Sequence, residues 1–582
     1  MFCVLLLFVF RMIVLSHADP TFTTKPDTWA AVDALGRVLP THDQVGDLKP
    51  DKFVGIFYFL WAENEAGFKT GPYDNTQIMA KAGGNLLNAT FGPLYAFHHW
   101  GRPYFDYYLI DDDFVIRKHA QMLADAGVDT LILDATNAIT YDNIWSKIGA
   151  IYTDMRSKSI RTPKFCFITW SKSPETVQKI YDNLYSQNLF KDLWFMWDGK
   201  PLIFANPDGL PAVLSNFFTV RESWAWTKGQ AWYGDGRGKW PWIDNYPQGP
   251  GLALDGHLEQ TCVTVAGHPI DNIGRSFDGP THHEPDQINP AVGTYFSQQW
   301  EHALQTNPPF IFVTGWNEWI AQRFVQTTGD IPFIGKHWPV GTTFFVDEFL
   351  EEYSRDIEPM SGGHGDNYYY QLISFIRRFK GMSPPETPSP MKTIQINQDF
   401  TQWTGVAPFY LDDLYDIPSR NHSRYGDQGG QLIDTSQRND LAVFQIARDQ
   451  TNVYFYARST VPWVQGNNFT WLLLNTDNDY STGWIGFDYL VDIGQGQLKK
   501  SSGSPGQWQP QQSVAIVNSG NNELHFALAY QSINLNNTQI NLQFKWLSAD
   551  VLYTNDPLNF IDKGDAAPNG RFTYTYMVRN TD

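Results

Sequence analysis

Between residues 52 and 380 short apolar runs of strand length alternate with longer segments of helical periodicity, the pattern of a parallel α/β architecture. Phe53-Val54-Gly55-Ile56-Phe57-Tyr58-Phe59-Leu60 opens the series as the first strand. Residues 113–126 read as a helix, with Phe114, Ala120, Leu123 and Ala124 near helical spacing and Gly127 as its stop. The next strand is predicted at 129–134, and further apolar runs predict strands at 164–170, 201–205, 223–226, 261–266 and 310–314. Those make seven, and the weaker run Phe344-Phe345-Val346 is taken as the eighth. The expectation is an α/β chain built as a (β/α)8 TIM barrel. Residues 230–255, rich in Gly, Pro and Trp (Trp232, Trp240, Trp242), are too long for an ordinary connection and are expected to form a functional loop.

The pattern changes after the last helix. Residues 381–390 are proline-rich and predict an extended spacer between domains. Beyond them come short alternating strands such as Leu441 to Ala447, Asn452 to Ala457 and Phe469 to Leu474, separated by Asn, Asp and Gly turns, which argue for an all-β sandwich. The division expected is therefore a leader over 1–18, a barrel over 19–380, a linker over 381–390 and a β-sandwich over 391–582.

The leader is read from Met1-Phe2-Cys3-Val4-Leu5-Leu6-Leu7-Phe8-Val9-Phe10 and its continuation to Ala18, too short an apolar run to span a bilayer and ending in small residues at Ser16 and Ala18. A cleaved signal peptide and secretion follow, against an uncleaved anchor suggested by Arg11. Without the leader only Cys166 and Cys262 remain, both in apolar runs, and are expected as buried free thiols. Asn88, Asn421, Asn468 and Asn536 open glycosylation sequons. A net charge of −19 argues against a nucleic-acid partner. Aromatic residues make up 15% of the chain, more than packing usually requires, which fits a carbohydrate-facing protein.

Candidate chemistry centres on Phe310-Ile311-Phe312-Val313-Thr314-Gly315-Trp316-Asn317-Glu318-Trp319. A strand buried on both faces ends in a glycine, and a carboxylate follows between two indoles. In parallel α/β folds the carboxyl ends of strands are where ligands bind and catalytic groups sit. The competing reading makes Glu318 a loop ion pair and Trp316 and Trp319 core residues. The stretch from Val313 to Trp319 resembles the Asn-Glu-Trp signature of glycoside hydrolase families 99 and 71 and of WbsX-type polysaccharide proteins, which are (β/α)8 barrels acting on glycans. That resemblance implies a retaining pair of glutamates three residues apart. Here the second position is Ala321, so the family's two-glutamate mechanism does not transfer intact.

Glycoside hydrolysis normally needs two carboxyl groups across the scissile bond. Asp134, at a strand's carboxyl end, is the first choice beside Glu318, with a helix N-cap as its structural alternative. Glu358 in Ile357-Glu358-Pro359 resembles a motif of the same families, which implies substrate binding. Trp61, His98, His99, His268, Arg275 and His364 follow predicted strands or close the barrel region, and with Trp316, Asn317 and Trp319 complete the expected substrate-binding set. Their spacing, Asp111 included, matches no known metal-ligand set. The C-terminal third resembles carbohydrate-binding module family 9, and Asp477 and Asp479 are candidate ligands for a structural Ca²⁺, against a plain turn. The function expected is a secreted, endo-acting glycoside hydrolase on a polysaccharide, with a non-catalytic lectin-like protein on a degenerate barrel as the alternative. A glycosyl-transfer role has the WbsX resemblance alone behind it.

Overall fold

The computed structural model describes residues 23–62, 71–426, 430–464, 469–504, 506–537, 539–553 and 555–578. The expected leader and the Asn468 sequon lie outside them. No described helix is long and apolar enough to cross a membrane.

The chain is mixed α/β. Its N-terminal two-thirds is organised by seven parallel strands: β1 (Phe53–Tyr58), β2 (Thr130–Ala135), β3 (Lys164–Thr169), β4 (Lys200–Phe204), β5 (Thr219–Arg221), β6 (Leu258–Thr264) and β7 (Phe310–Thr314). Neighbours in sequence pair in space, and the sheet then curls so that β7 lies beside β1, with Phe53 opposite Phe310 and Gly55 opposite Phe312. All five residues of β7 and all six of β2 are buried, as expected of strands covered on both faces. Helices α1 (Asp113–Ala126), α2 (Asp142–Ser157), α3 (Ser173–Ile180), α4 (Thr294–Thr306) and α5 (Asn367–Lys380) lie between or after these strands. α1 has the bounds its sequence predicts, because both ends are capped locally. The Asp112 carboxylate accepts from the Phe114 amide at 3.0 Å, and Gly127 adopts a left-handed φ of 88°.

The predicted eighth strand does not join this sheet. Thr343–Phe345 pairs antiparallel with Ile320–Val325, which pairs in turn with Phe97–His99, and with Tyr73–Asp74 these make a separate four-stranded sheet. Its phenylalanines pack into a satellite apolar cluster with Phe333 and Phe349 instead of the ring. The place between β5 and β6 is held by two pieces of the expected functional loop, residues 238–243 beside the chain after β5 and Pro250–Leu252, which pairs antiparallel with β6. The Glu222 amide donates to Gly238 O at 2.9 Å, Trp240 to Glu222 O at 2.8 Å and Trp226 to Ile243 O at 2.7 Å, in parallel sense. Trp240 is fully buried there and packs on Phe310 at 5.0 Å. The glycines and prolines of this segment thus serve a wall of the ring, where an irregular chain replaces a strand.

The C-terminal third consists of two antiparallel sheets. One contains β8 (Leu441–Arg448), β9 (Asn452–Ser459) and β11 (Glu523–Ala529), and the other β10 (Phe469–Asn475) and β12 (Ile540–Ala549). Their inner faces meet where Phe444 stacks on Trp546 at 5.5 Å and 12°. The whole region is joined to the ring. Arg420 pairs with Asp112 at 2.9 Å and donates to Phe105 O at 2.9 Å, Tyr425 N bonds Tyr107 O at 2.8 Å, and Arg571 pairs with Asp366 at 2.6 Å. The spacer is extended, as expected, but it is no free tether: Ser383 N donates to Asp27 at 2.6 Å and Ser389 O accepts from Arg448 at 2.8 Å. Cys166 and Cys262 are buried free thiols, as expected, and Asn88, Asn421 and Asn536 are exposed.

Inside the ring, the missing side chain of Gly55 makes room for its neighbours. A Cβ there would lie 2.6 Å from Phe310 Cζ and 2.9 Å from Ile132 Cδ1, both on flanking strands. Gly55→Ala is therefore expected to lower unfolding stability by about 1–3 kcal/mol, read as a lower urea midpoint, and a second change Phe310→Leu should recover part of that loss.

Candidate active site

The loop after β7 is laced to the chain around residues 355–358. Gly315 N donates to Arg355 O at 2.7 Å, Ile357 N to Gly315 O at 3.1 Å and Glu358 N to Trp316 O at 2.9 Å. On the other side Asn317 continues the β1–β7 pairing with its side chain, accepting from Phe59 N at 2.9 Å and donating to Phe59 O at 3.2 Å. Asn317, itself buried, thus ties the start of the Glu318 loop to the chain that continues β1. Trp316 and Trp319 are buried in the core. Trp319 stacks on His99 at 5.0 Å and meets Tyr108 edge-on at 5.2 Å. Both indoles, expected to contact substrate, are buried here and pack the loop in place.

Glu318 is 7% exposed and its Oε2 accepts from Arg355 Nη2 at 3.4 Å. The same guanidinium lies 3.8 Å from Asp347 and 3.7 Å from Glu348, and donates through Nη1 to Asp347 O at 2.9 Å and Gly267 O at 3.2 Å. Burial pushes the Glu318 carboxyl well above the ordinary range; Arg355 opposes this, while Asp347, Asp356 and Asp134 reinforce it. Burial raises Glu348 in the same way, and Asp356 is pushed up to about 7. Arg355 is held charged: burial works against it, yet the surrounding carboxylates lift its pKa above the arginine value. A carboxyl group whose affinity for its proton is raised by burial among other carboxyls is the kind of group that general acid catalysis uses.

Asp134 joins this group. It is 4% exposed at the end of β2, and its Oδ1 accepts from Thr136 N at 2.9 Å and Thr136 Oγ1 at 2.7 Å. That closes a turn, not the helix start considered from sequence, since α2 begins only at Asp142. Burial pushes Asp134 up to about 6, with Asp347 adding to the shift. Asp347, with a side chain 55% exposed, is the solvent-facing carboxylate of the set. It went unnoticed in the sequence because it follows the run mistaken for a barrel strand. Trp170, directly after β3, stacks on Trp224 at 4.1 Å and 11°, and both are half-buried. A tryptophan immediately past a strand end was the available signal for this pair.

The remaining predicted residues form layers beneath or beside the carboxylates. His268 lies next to Arg355, and burial and that charge hold its imidazole at about 3, neutral at ordinary pH. Trp61 packs on Phe59 at 4.4 Å. Glu358 is buried among Tyr108, 2.8 Å away, and His119, 3.0 Å away, which is bonded in turn to Tyr58 at 3.0 Å. Arg275 is fully buried, donates to Asp356 O at 2.7 Å and Ser354 Oγ at 3.2 Å, and lies over the Tyr368 ring at 4.3 Å. His364 is buried against Trp100 and Tyr368. His98 is bonded to Asn75 at 2.9 Å, and neither His98 nor His99 is exposed. Glu358, Arg275, His98, His99 and His364 are all buried in this structure. A β-strand end packed on both sides buries even its polar side chains, which then need internal partners. In the C-terminal region Asp477 accepts from Asp479 N at 2.9 Å and Asp479 from Ser481 N at 2.9 Å, the bonds of successive turns.

No protein-family model matches the sequence, and no curated protein matches it. Solved structures do. The chain is similar to the GH99 endo-alpha-mannosidase from Bacteroides thetaiotaomicron at 15% identity and a TM-score of 0.34, over 57% of this chain and 98% of that one. The complex of that enzyme with BIS-TRIS-propane aligns at 14% identity and a TM-score of 0.31, over 57% and 98%. A glycoside hydrolase-like protein aligns at 12% identity and 0.33, over 61% and 99%.

The raised Asp134 gives a pH-dependent stability with a defined sign. The folded carboxyl keeps its proton to about pH 6 and the unfolded one releases it near 3.8, so its contribution is complete below pH 3.8 and is lost as pH rises through 6. Asp134→Asn removes this dependence. Relative to the parent, the variant is expected to gain up to about 3 kcal/mol between pH 4 and pH 7 in chemical denaturation, whereas parallel pH curves would count against the assignment.

Proposed function

We propose that the protein is a secreted glycoside hydrolase that cleaves O-glycosidic bonds of a polysaccharide on a (β/α)8 barrel, with the C-terminal β-sandwich as a carbohydrate-binding module. The observation that carries this reading is the set of carboxyls at the strand ends. Glu318 is buried with its carboxyl pushed well above the ordinary range, and Asp134 and Asp347 are near enough to add to that shift. Glu318 is the general acid. Asp134 is its partner of first choice, as base or nucleophile, and solvent-facing Asp347 is the other group with the right chemistry. Endo action follows from the appended module, which raises the effective concentration of an extended substrate.

The second carboxylate has to come from outside the signature. Ala321 is 3% exposed, lies opposite His98 and packs in the apolar cluster of Phe344, Phe345 and Phe349. A glutamate there would enter an apolar cluster. The same residue, with Glu318 engaged by Arg355, favours the alternative of a lectin-like protein that binds glycan without cleaving it.

Reducing-sugar release from a panel of purified polysaccharides, with binding measured in parallel, separates the two. Hydrolysis by the parent and a fall of at least about 10²-fold in Glu318→Gln with binding retained is the outcome expected of a general acid. Binding without release by the parent on every member of the panel would establish the lectin-like reading instead.

A further inference from the structure

A second group of carboxylates lies far along the chain from Glu318, where the C-terminal sheets meet α1. Asp412, Asp413 and Asp416 belong to the turn after Tyr410–Leu411, Asp440 precedes β8, and Asp565 opens the strand Asp565–Ala567. All five are buried. One oxygen each from Asp416, Asp440 and Asp565 lies within 4.8 Å of the others. That spacing matches two Ca–O bonds of about 2.4 Å drawn from opposite sides of one ion.

Protein groups satisfy only part of this set. Gln121 of α1 donates to Asp416 Oδ2 at 2.6 Å and to Asp413 Oδ2 at 3.1 Å. Asp440 accepts from Tyr415 N at 3.0 Å and Thr460 Oγ1 at 2.5 Å, and Asp565 Oδ2 from Leu441 N at 2.6 Å. Asp416 Oδ1 has no partner. Asp412 is fully buried with neither oxygen bonded, and the acidic charges acting on it are those of Asp565, Asp416, Asp413 and Asp440, so it lies beside the cluster. Lys118 acts on Asp416 and Asp565, and the buried Lys545 on Asp412 and Asp565, two lysines against five carboxylates. The Lys545 ammonium is turned to the carbonyls of Pro568 and Phe572. Buried carboxylates left with bare oxygens are unfavourable unless a cation gathers them.

We propose that Asp412, Asp416, Asp440 and Asp565 form a Ca²⁺ site that fastens the C-terminal sheets to α1. The donors are all hard oxygens, which selects an alkaline-earth ion over a transition metal. They come from three separate segments of the chain, and Gln121 connects the site to the ring. Binding therefore requires the assembled structure and stabilises it.

The test uses the full chain stripped with EGTA, desalted, and then returned to CaCl2. Elemental analysis should find bound Ca²⁺ after a second desalting, and the thermal unfolding temperature should rise by several degrees. Asp412→Asn removes a buried charge that has no hydrogen-bond partner, so it is expected to fold without the ion and to bind Ca²⁺ at least about tenfold more weakly. Asp477→Asn should bind as the parent does. A parent that holds no Ca²⁺ and shows no shift overturns the proposal. So does retention of parental affinity in Asp412→Asn, or its loss in Asp477→Asn, which would assign the ion to the 477–479 turn.

Discussion

The guanidinium of Arg355 is the point on which the carboxyl end of the ring is assembled. It lies within 4 Å of Glu318, Asp347 and Glu348, and reaches the carbonyls of Gly267 and Asp347. Its own backbone accepts from Gly315 N and donates to Glu348. Loops that follow β6 and β7 and the segment near 347 are therefore fixed by one residue. A buried cation of this kind is stable only while its counter-charges remain, and removing one partner typically costs about 3–5 kcal/mol. The same crowding has a chemical consequence. More carboxyls surround the cation than one charge can neutralise, so some keep their protons.

That arrangement explains the division of labour within Trp316-Asn317-Glu318-Trp319. The indoles and the amide secure the loop, by packing and by the clamp on Phe59, and the carboxylate alone is held at the charged cluster. A motif of this composition looks like a binding surface when written as a line. In three dimensions the aromatic groups face inward, because the loop sits between the ring and the layer containing His99, Tyr108 and His119. The stacked Trp170 and Trp224, at the ends of other strands, are half-buried, as are Trp61 and Trp226.

The C-terminal region follows related physics. Its sheets bury Phe444 and Trp546 between them, and its edge is bound to α1 and α5 through Arg420, Gln121 and Arg571. Acidic side chains are drawn into this contact along with the apolar ones. Where a guanidinium meets a carboxylate the contact is closed by an ion pair, and around Asp412 acidic groups outnumber the one lysine, Lys545, that acts on it.

Local chemistry was sufficient to determine some of this protein from its residues. Asp112 and Gly127 define α1, the β-branched and aromatic run Phe310–Thr314 defines β7, and the isolated cysteines in apolar strands define buried thiols. In each case the deciding interactions are made within a few residues. The tertiary structure decided the rest. Phe344-Phe345 has the composition of a ring strand yet pairs in another sheet, because pairing depends on partners at Phe324 and Arg323, well outside the local run. The irregular chain at 238–243 fills the vacant place because Glu222 and Trp226 present backbone groups there. Which carboxyls share a site was also invisible in the line of the sequence, since Asp134, Glu318, Asp347 and Arg355 are brought together only when β2 and β7 take their places in one curled sheet, and charge interactions act through space and not along the chain.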